Sequence, residues 1–124
     1  MIYGIGTDIV NIDRVSNILN KNRDGFIKRV LTEHEIALFS NKADNAAYCA
    51  KRFAAKEAAA KALGTGIGRG VSWQHMQIEN DDNGAPVLVL TGPAAERQAQ
   101  LGSRQVHISI ADETDRAIAF VVLS

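Results

Sequence analysis

The spacing of apolar and polar positions splits this chain into a helical first half and a second half that runs mostly at period two. β-Branched and aromatic residues from Ile2 to Val10 predict a strand, with glycines at 4 and 6 where a neighbouring backbone can come close. Val15, Ile18 and Leu19 recur at helical spacing and predict an amphipathic helix from about Asp13 to Asn20; Phe26, Ile27, Val30 and Leu31 form another apolar face. Thr32-Glu33-His34-Glu35 has the form of a capping box and opens a helix through Leu38 and Phe39. A long helix follows and ends at Leu63, with Asp44 or Asn45 as its cap and Gly64 at the left-handed position just beyond.

The period then shortens. His75 to Asn80 alternates, Asp82-Asn83-Gly84 supplies a tight turn, and Pro86 to Thr91 returns as the second strand of a hairpin. Gly92-Pro93 opens a helix to Leu101 that Gly102 stops. Val106, Ile108 and Ile110 alternate, and Ala117 to Leu123 completes a second hairpin. That last run is apolar on both faces, as a central strand or a strand at a subunit interface would be. The expected architecture is one α+β domain over residues 1–124, an antiparallel sheet packed on a long helix, with no repeat, low-complexity segment or linker.

Composition narrows the function classes. At 124 residues the chain supports a single core. A formal net charge of +0 gives no general support for nucleic-acid binding, so an electrostatic partner must be drawn by a local patch. Cys49 is the only cysteine; between Tyr48 and Ala50 it reads as a small buried apolar group in a reducing compartment. The longest apolar run is far short of a membrane span, and no charged leader opens the chain. The expected address is cytoplasmic, with neither membrane nor nucleic acid as partner.

Candidate chemistry gathers in Arg52-Phe53-Ala54-Ala55-Lys56-Glu57-Ala58-Ala59-Ala60-Lys61-Ala62-Leu63-Gly64-Thr65-Gly66. Glu57 and Lys61 stand four residues apart on one helical face, which in isolation is an ordinary surface pair. Lys51, Arg52 and Lys56 add positive charge to that helix, and its many alanines suit close approach by another backbone. The loop Gly64 to Gly70 can offer backbone N–H groups to a phosphate, but it follows a helix instead of leading into one. The helix dipole there has the wrong sign for an anion, so Lys61 and Arg69 would have to overcome it. Asp8, near the end of the first strand, needs a second carboxylate to hold a metal, and Glu57 is its partner if the strand packs on the alanine-rich helix. Two carboxylates with water and phosphate oxygens suit Mg²⁺. Cys49, His34, His75 and His107 lack the spacing of a zinc site. His107 shares a strand face with Ser109, and is either a solvent-side position or a ligand contact. Between Asn11 and Leu31, Arg14, Lys21, Arg23, Lys28 and Arg29 outnumber Asp13 and Asp24, a patch that an acidic protein partner fits.

Those residues resemble the holo-[acyl-carrier-protein] synthase family, the short single-domain class of 4′-phosphopantetheinyl transferases. Gly4-Ile5-Gly6-Thr7-Asp8-Ile9 and the stretch Arg52 to Gly66 are similar to two signatures of the family, and Val106-His107-Ile108-Ser109-Ile110 to a third. The resemblance implies Mg²⁺-dependent transfer of the 4′-phosphopantetheine arm of coenzyme A to a serine of apo-acyl carrier protein, releasing adenosine 3′,5′-bisphosphate, a step of fatty acid biosynthesis. By the same resemblance Asp8 and Glu57 hold the metal, and Lys61 neutralises charge on the pyrophosphate. Glu57 takes the serine proton directly or through a metal-bound water. Gly64, Thr65 and Gly66 line the coenzyme A groove, and His107 approaches it from a neighbouring subunit of a homotrimer. Arg14, with Arg29, receives the acidic carrier helix. After the third motif many members continue with a hydroxyl residue and histidine, where this chain has Ala111-Asp112. The alternative from another class is a non-catalytic trimer that binds coenzyme A or a nucleotide.

Overall fold

The computed structural model describes residues 1–39 and 45–124, so the alternative cap Asp44 lies outside the described residues. Strand β1 (Gly4–Asn11) leads into helices α1 (Ile12–Val30), α2 (Glu33–Phe39) and α3 (Asn45–Ala62). Strands β2 (Met76–Asn80) and β3 (Pro86–Leu90), helix α4 (Gly92–Leu101), and strands β4 (Val106–Asp112) and β5 (Arg116–Leu123) follow. The α+β architecture and both expected hairpins are present. β2 and β3 form their own antiparallel pair, whereas β1, β5 and β4 make a three-stranded sheet in that order, with the doubly apolar strand in the middle.

Why β1 sits where it does follows from side-chain size. It runs antiparallel to β5 with Gly6 opposite Val121 and Asp8 opposite Ala119, and the inward side of this pair lies on α3. Ala54, Ala55, Ala58, Ala59 and Ala62 on the helix and Ala117 and Ala119 on β5 are all buried. A Cβ at Gly4 would stand 2.1 Å from the Ala62 carbonyl oxygen, and one at Gly6 would stand 2.0 Å from that of Ala58. No side chain fits there. The glycines and alanines thus let strand and helix touch backbone to backbone, as the sequence led one to expect. Asp8, two residues beyond Gly6 on the same side of the strand, is thereby set against the last turns of α3.

Local chemistry sets the remaining boundaries. Asn11 caps α1, its Oδ1 accepting from the Asp13 and Arg14 N–H groups at 2.9 and 3.4 Å. The two apolar faces expected between Asp13 and Leu31 lie in one span kinked at Asn22 (φ −152°, ψ 68°). Thr32 and Glu35 form the expected capping box: Thr32 Oγ1 accepts from the Glu35 N–H, and Glu35 Oε1 from the Thr32 N–H. Gly64 turns the chain left-handed (φ 77°) past α3. His75 belongs to a short 3₁₀ turn, Trp73–His75, and not to the strand assigned from its alternation. Its Nδ1 accepts from the Ser72 N–H at 3.0 Å, which closes a capping box of its own. The other face of the three-stranded sheet carries exposed Ile5, Ile9, Ile118 and Phe120. Among the described residues no helix is long and apolar enough to cross a membrane.

Candidate active site

Consecutive residues Lys56 and Glu57 point about 100° apart on α3 and meet opposite fates. Lys56 is fully buried. Its Nζ donates to Glu35 Oε1 at 2.6 Å, to the Val30 carbonyl at 2.5 Å and to the Trp73 carbonyl at 3.2 Å. Glu35, also fully buried, accepts from the Ile78 N–H through its other oxygen at 2.9 Å, with Arg52 Nε 3.6 Å from that oxygen. Burial holds the Lys56 ammonium below the usual lysine range, with the Glu35 charge pulling against it. Two of the cations that the sequence credits to this helix, Arg52 and Lys56, are therefore turned into the fold toward the one carboxylate of Glu35.

Glu57 and Lys61 lie on the open side. Lys61 Nζ sits 3.0 Å from Asp8 Oδ1 and donates to the Thr7 carbonyl at 2.9 Å. Glu57 Oε1 accepts instead from the indole Nε1–H of Trp73 at 3.1 Å. Among the described residues there is no Glu57–Lys61 ion pair, so the ordinary helix-surface explanation of these two residues does not hold here. A cavity of about 420 Å³ is lined by Asp8, Glu57, Arg14, Arg29, Phe53 and Trp73, among others. It brings both carboxylates and both arginines singled out in the sequence onto one surface. Phe53 and Trp73 were not anticipated as site residues; the available signal was a lone tryptophan three residues beyond the glycine loop.

Two carboxylates with hard oxygen donors fit Mg²⁺, which completes its shell from water and phosphate oxygens. Among the described residues no three His, Cys, Asp or Glu side chains converge, as an all-protein site would require. The side chains of Lys61 and Asp8 are 54% and 17% exposed, and such an open pair is worth no more than about 1 kcal/mol. Asp8 can exchange that partner for another cation at small cost.

The loop after Lys61 needs its glycines for conformation. Gly64, Gly66, Gly68 and Gly70 all have positive φ, yet a Cβ at 66, 68 or 70 would meet nothing within 4 Å. Arg97 donates through Nε to the Leu63 carbonyl at 2.9 Å, placing a cation at the negative end of α3. This offsets part of the unfavourable dipole, and nothing in the sequence pattern pointed to it. His107 lies exposed on the far face of the sheet, its Nε2 2.8 Å from Ser124 Oγ, and is not brought to Asp8 and Glu57 within this chain. Asp112, where the chain departs from the third motif, lines a different cavity of about 510 Å³ with Lys51 and Arg52.

Comparison with known proteins identifies the family. Residues 4–121 match the model of the 4′-phosphopantetheinyl transferase superfamily. The chain belongs to that superfamily. A curated holo-[acyl-carrier-protein] synthase of Ruthia magnifica is 54% identical over 123 residues, spanning 99% of this chain and 97% of its own. The crystal structure of the synthase from Neisseria meningitidis superposes with a TM-score of 0.92 at 43% identity, covering 100% of this chain and 99% of that one. The Bacillus anthracis synthase, solved in complex with coenzyme A (3′,5′-ADP), gives a TM-score of 0.83 at 38% identity, covering 99% and 96%. The enzyme class expected from the motifs, a phosphopantetheinyl transferase of the holo-[acyl-carrier-protein] synthase kind, is borne out.

Proposed function

We propose that this transferase moves the 4′-phosphopantetheine arm of coenzyme A onto a serine of apo-acyl carrier protein, in the cytoplasm, as a Mg²⁺-dependent step of fatty acid biosynthesis. The observation that supports the reading is that Asp8 meets Lys61 and shares a cavity wall with Glu57, on a glycine strand seated on an alanine helix. Phosphoryl transfer of this kind needs positioning and charge stabilisation more than covalent help. The serine oxygen forms a bond to the phosphorus of the phosphopantetheine. The bond from that phosphorus to the bridging oxygen breaks, and the electron pair leaves with adenosine 3′,5′-bisphosphate.

Asp8 and Glu57 would hold Mg²⁺, which when bound supplies positive charge to the pyrophosphate oxygens. Lys61, half exposed and one turn beyond Glu57, would turn from Asp8 to the same phosphate group. Trp73 donates to Oε1 of Glu57, which leaves Oε2 as the less engaged oxygen for a cation or for the serine proton. Gly64, Thr65 and Gly66 would line the coenzyme A groove. Arg14 and Arg29, on the cavity wall with the carboxylates, would receive an acidic helix of the carrier. The exposed apolar sheet face through Ile5, Ile9, Ile118 and Phe120 supports a homotrimer, in which His107 of one subunit would complete the site of another. Mass spectrometry of an apo-acyl carrier protein incubated with the enzyme, coenzyme A and Mg²⁺ tests the reaction. A phosphopantetheine mass gain on the serine is expected; a protein that only binds coenzyme A gives none.

A further inference from the structure

We propose that Trp73 is a positioning residue for Glu57. Its indole N–H holds one carboxylate oxygen, so that the other is presented to the cation and neither is lost to Lys61. The inference rests on the reading of Glu57 as a Mg²⁺ ligand. Helical spacing alone would let Glu57 fall onto Lys61, four residues on. The structure keeps them apart: Lys61 is on Asp8 and Glu57 is on Trp73. A neutral donor suits this task, because it fixes the carboxylate while leaving its charge for a metal, whereas an ammonium would cancel it. Indole nitrogen donates only, so the bond has one polarity.

Trp73 is itself held from several sides. Its ring stacks on Phe53 with centroids 6.3 Å apart, and its carbonyl accepts from the buried Lys56 Nζ. The next residue, Gln74, donates through Nε2 to the carbonyls of Lys28, at 2.9 Å, and Leu31, at 2.8 Å, tying the turn to the end of α1. An indole fixed in this way reaches Glu57 from outside α3, which the helix's own residues cannot do.

The test is Trp73→Phe, which keeps a ring against Phe53 and deletes the N–H. Mg²⁺ titrated calorimetrically into the enzyme–coenzyme A complex should bind about tenfold more weakly in this variant, with the thermal midpoint little changed. Glu57→Gln serves as the control for the underlying reading. If it leaves Mg²⁺ affinity intact, Glu57 is no ligand and both ideas fall. If it weakens Mg²⁺ binding while Trp73→Phe does not, only the positioning role is overturned. Should Trp73→Phe not fold, the wild-type chain still decides, because Trp73 is its only tryptophan. Its emission should shift when Mg²⁺ enters the complex and stay constant in Glu57→Gln. Emission indifferent to Mg²⁺ in the wild-type complex counts against the proposal.

Discussion

Helix α3 carries two carboxylate–ammonium groupings that differ in every respect that matters for function. Lys56 and Glu35 are both inaccessible to water, and their hydrogen bonds run to each other and to the backbone of Thr32, Val30, Trp73 and Ile78. Nothing is left over for a ligand. Asp8, Glu57 and Lys61 are less enclosed and held by fewer bonds: Asp8 by one exposed ammonium, Glu57 by one indole. Charges in the first group join α1, α2, α3 and β2; charges in the second remain available. A buried pair is over-determined because an unpaired partner would be intolerable, whereas an open pair exchanges partners cheaply.

Breaking the closed grouping should have the largest effect. Lys56→Met leaves the Glu35 carboxylate buried with Arg52, 3.6 Å from Oε2, as its remaining counter-ion, and should cost up to about 3–5 kcal/mol of stability, read from urea unfolding. A loss below about 1 kcal/mol would mean that the buried pair behaves no differently from a surface one. The open grouping should respond the other way round. Asp8→Ala is expected to lower transfer at least about a hundredfold while changing stability by less than about 1 kcal/mol. Steady-state assays at limiting and saturating Mg²⁺, run beside a thermal melt, measure both. Wild-type-like rates at limiting Mg²⁺ would remove Asp8 from the ligand set.

A pH experiment sharpens the contrast from the closed side. Burial pushes the Cys49 thiol up from 9.0 to about 12, and that of its neighbour pushes the Tyr48 phenol up from 10.0 to about 12. Folded, the thiol keeps its proton where the unfolded chain has lost it. Its contribution to stability is therefore full below pH 9 and is lost as pH rises toward 12. The slope approaches about 1.4 kcal/mol per pH unit for each such group. Cys49→Ala should flatten the fall of stability above pH 9, leaving the part due to Tyr48; an unchanged slope would show that the thiol titrates alike in both states. The smallest effect is expected at the rim of the open grouping. Arg14→Glu should raise KM for the carrier several-fold, weaken its dependence on salt, and leave coenzyme A affinity nearly unchanged. Kinetics with each substrate varied in turn, at low and high ionic strength, would expose a shift in coenzyme A affinity, which contradicts the docking role.

Much of the fold was legible because its signals are local. The Thr32–Glu35 box, Gly64 beyond α3, Pro93 and Gly102 around α4 and the alternation in β4 all act within a few residues. Even the contact between β1 and α3 was readable, since glycines at 4 and 6 and a run of alanines are complementary only if two backbones touch. The pairing of charges was not. Arg52 and Lys56, one turn apart, read only as positive charge added to the helix, and Glu35 only as part of a capping box. Their burial depends on β2, whose Ile78 lies 26 residues from Arg52 and 43 from Glu35.

The sequence by itself determined most of the elements, the Thr32–Glu35 box, the glycines beyond α3 and α4, the seating of Gly4 and Gly6 on the alanine helix, and a motif set sufficient to place the chain among the phosphopantetheinyl transferases; the Asn11 cap and the Ser72-capped turn at Trp73–His75 were not among them. Spacing of 3.6 residues per turn also assigned Glu57 and Lys61 to one face. Only the tertiary structure decided what each face meets: Lys56 turned to Glu35, Lys61 to Asp8, Glu57 to Trp73, and Arg97 to the end of α3. Periodicity fixes directions around one helix axis, while partners are supplied by segments that are distant in sequence and close only after packing.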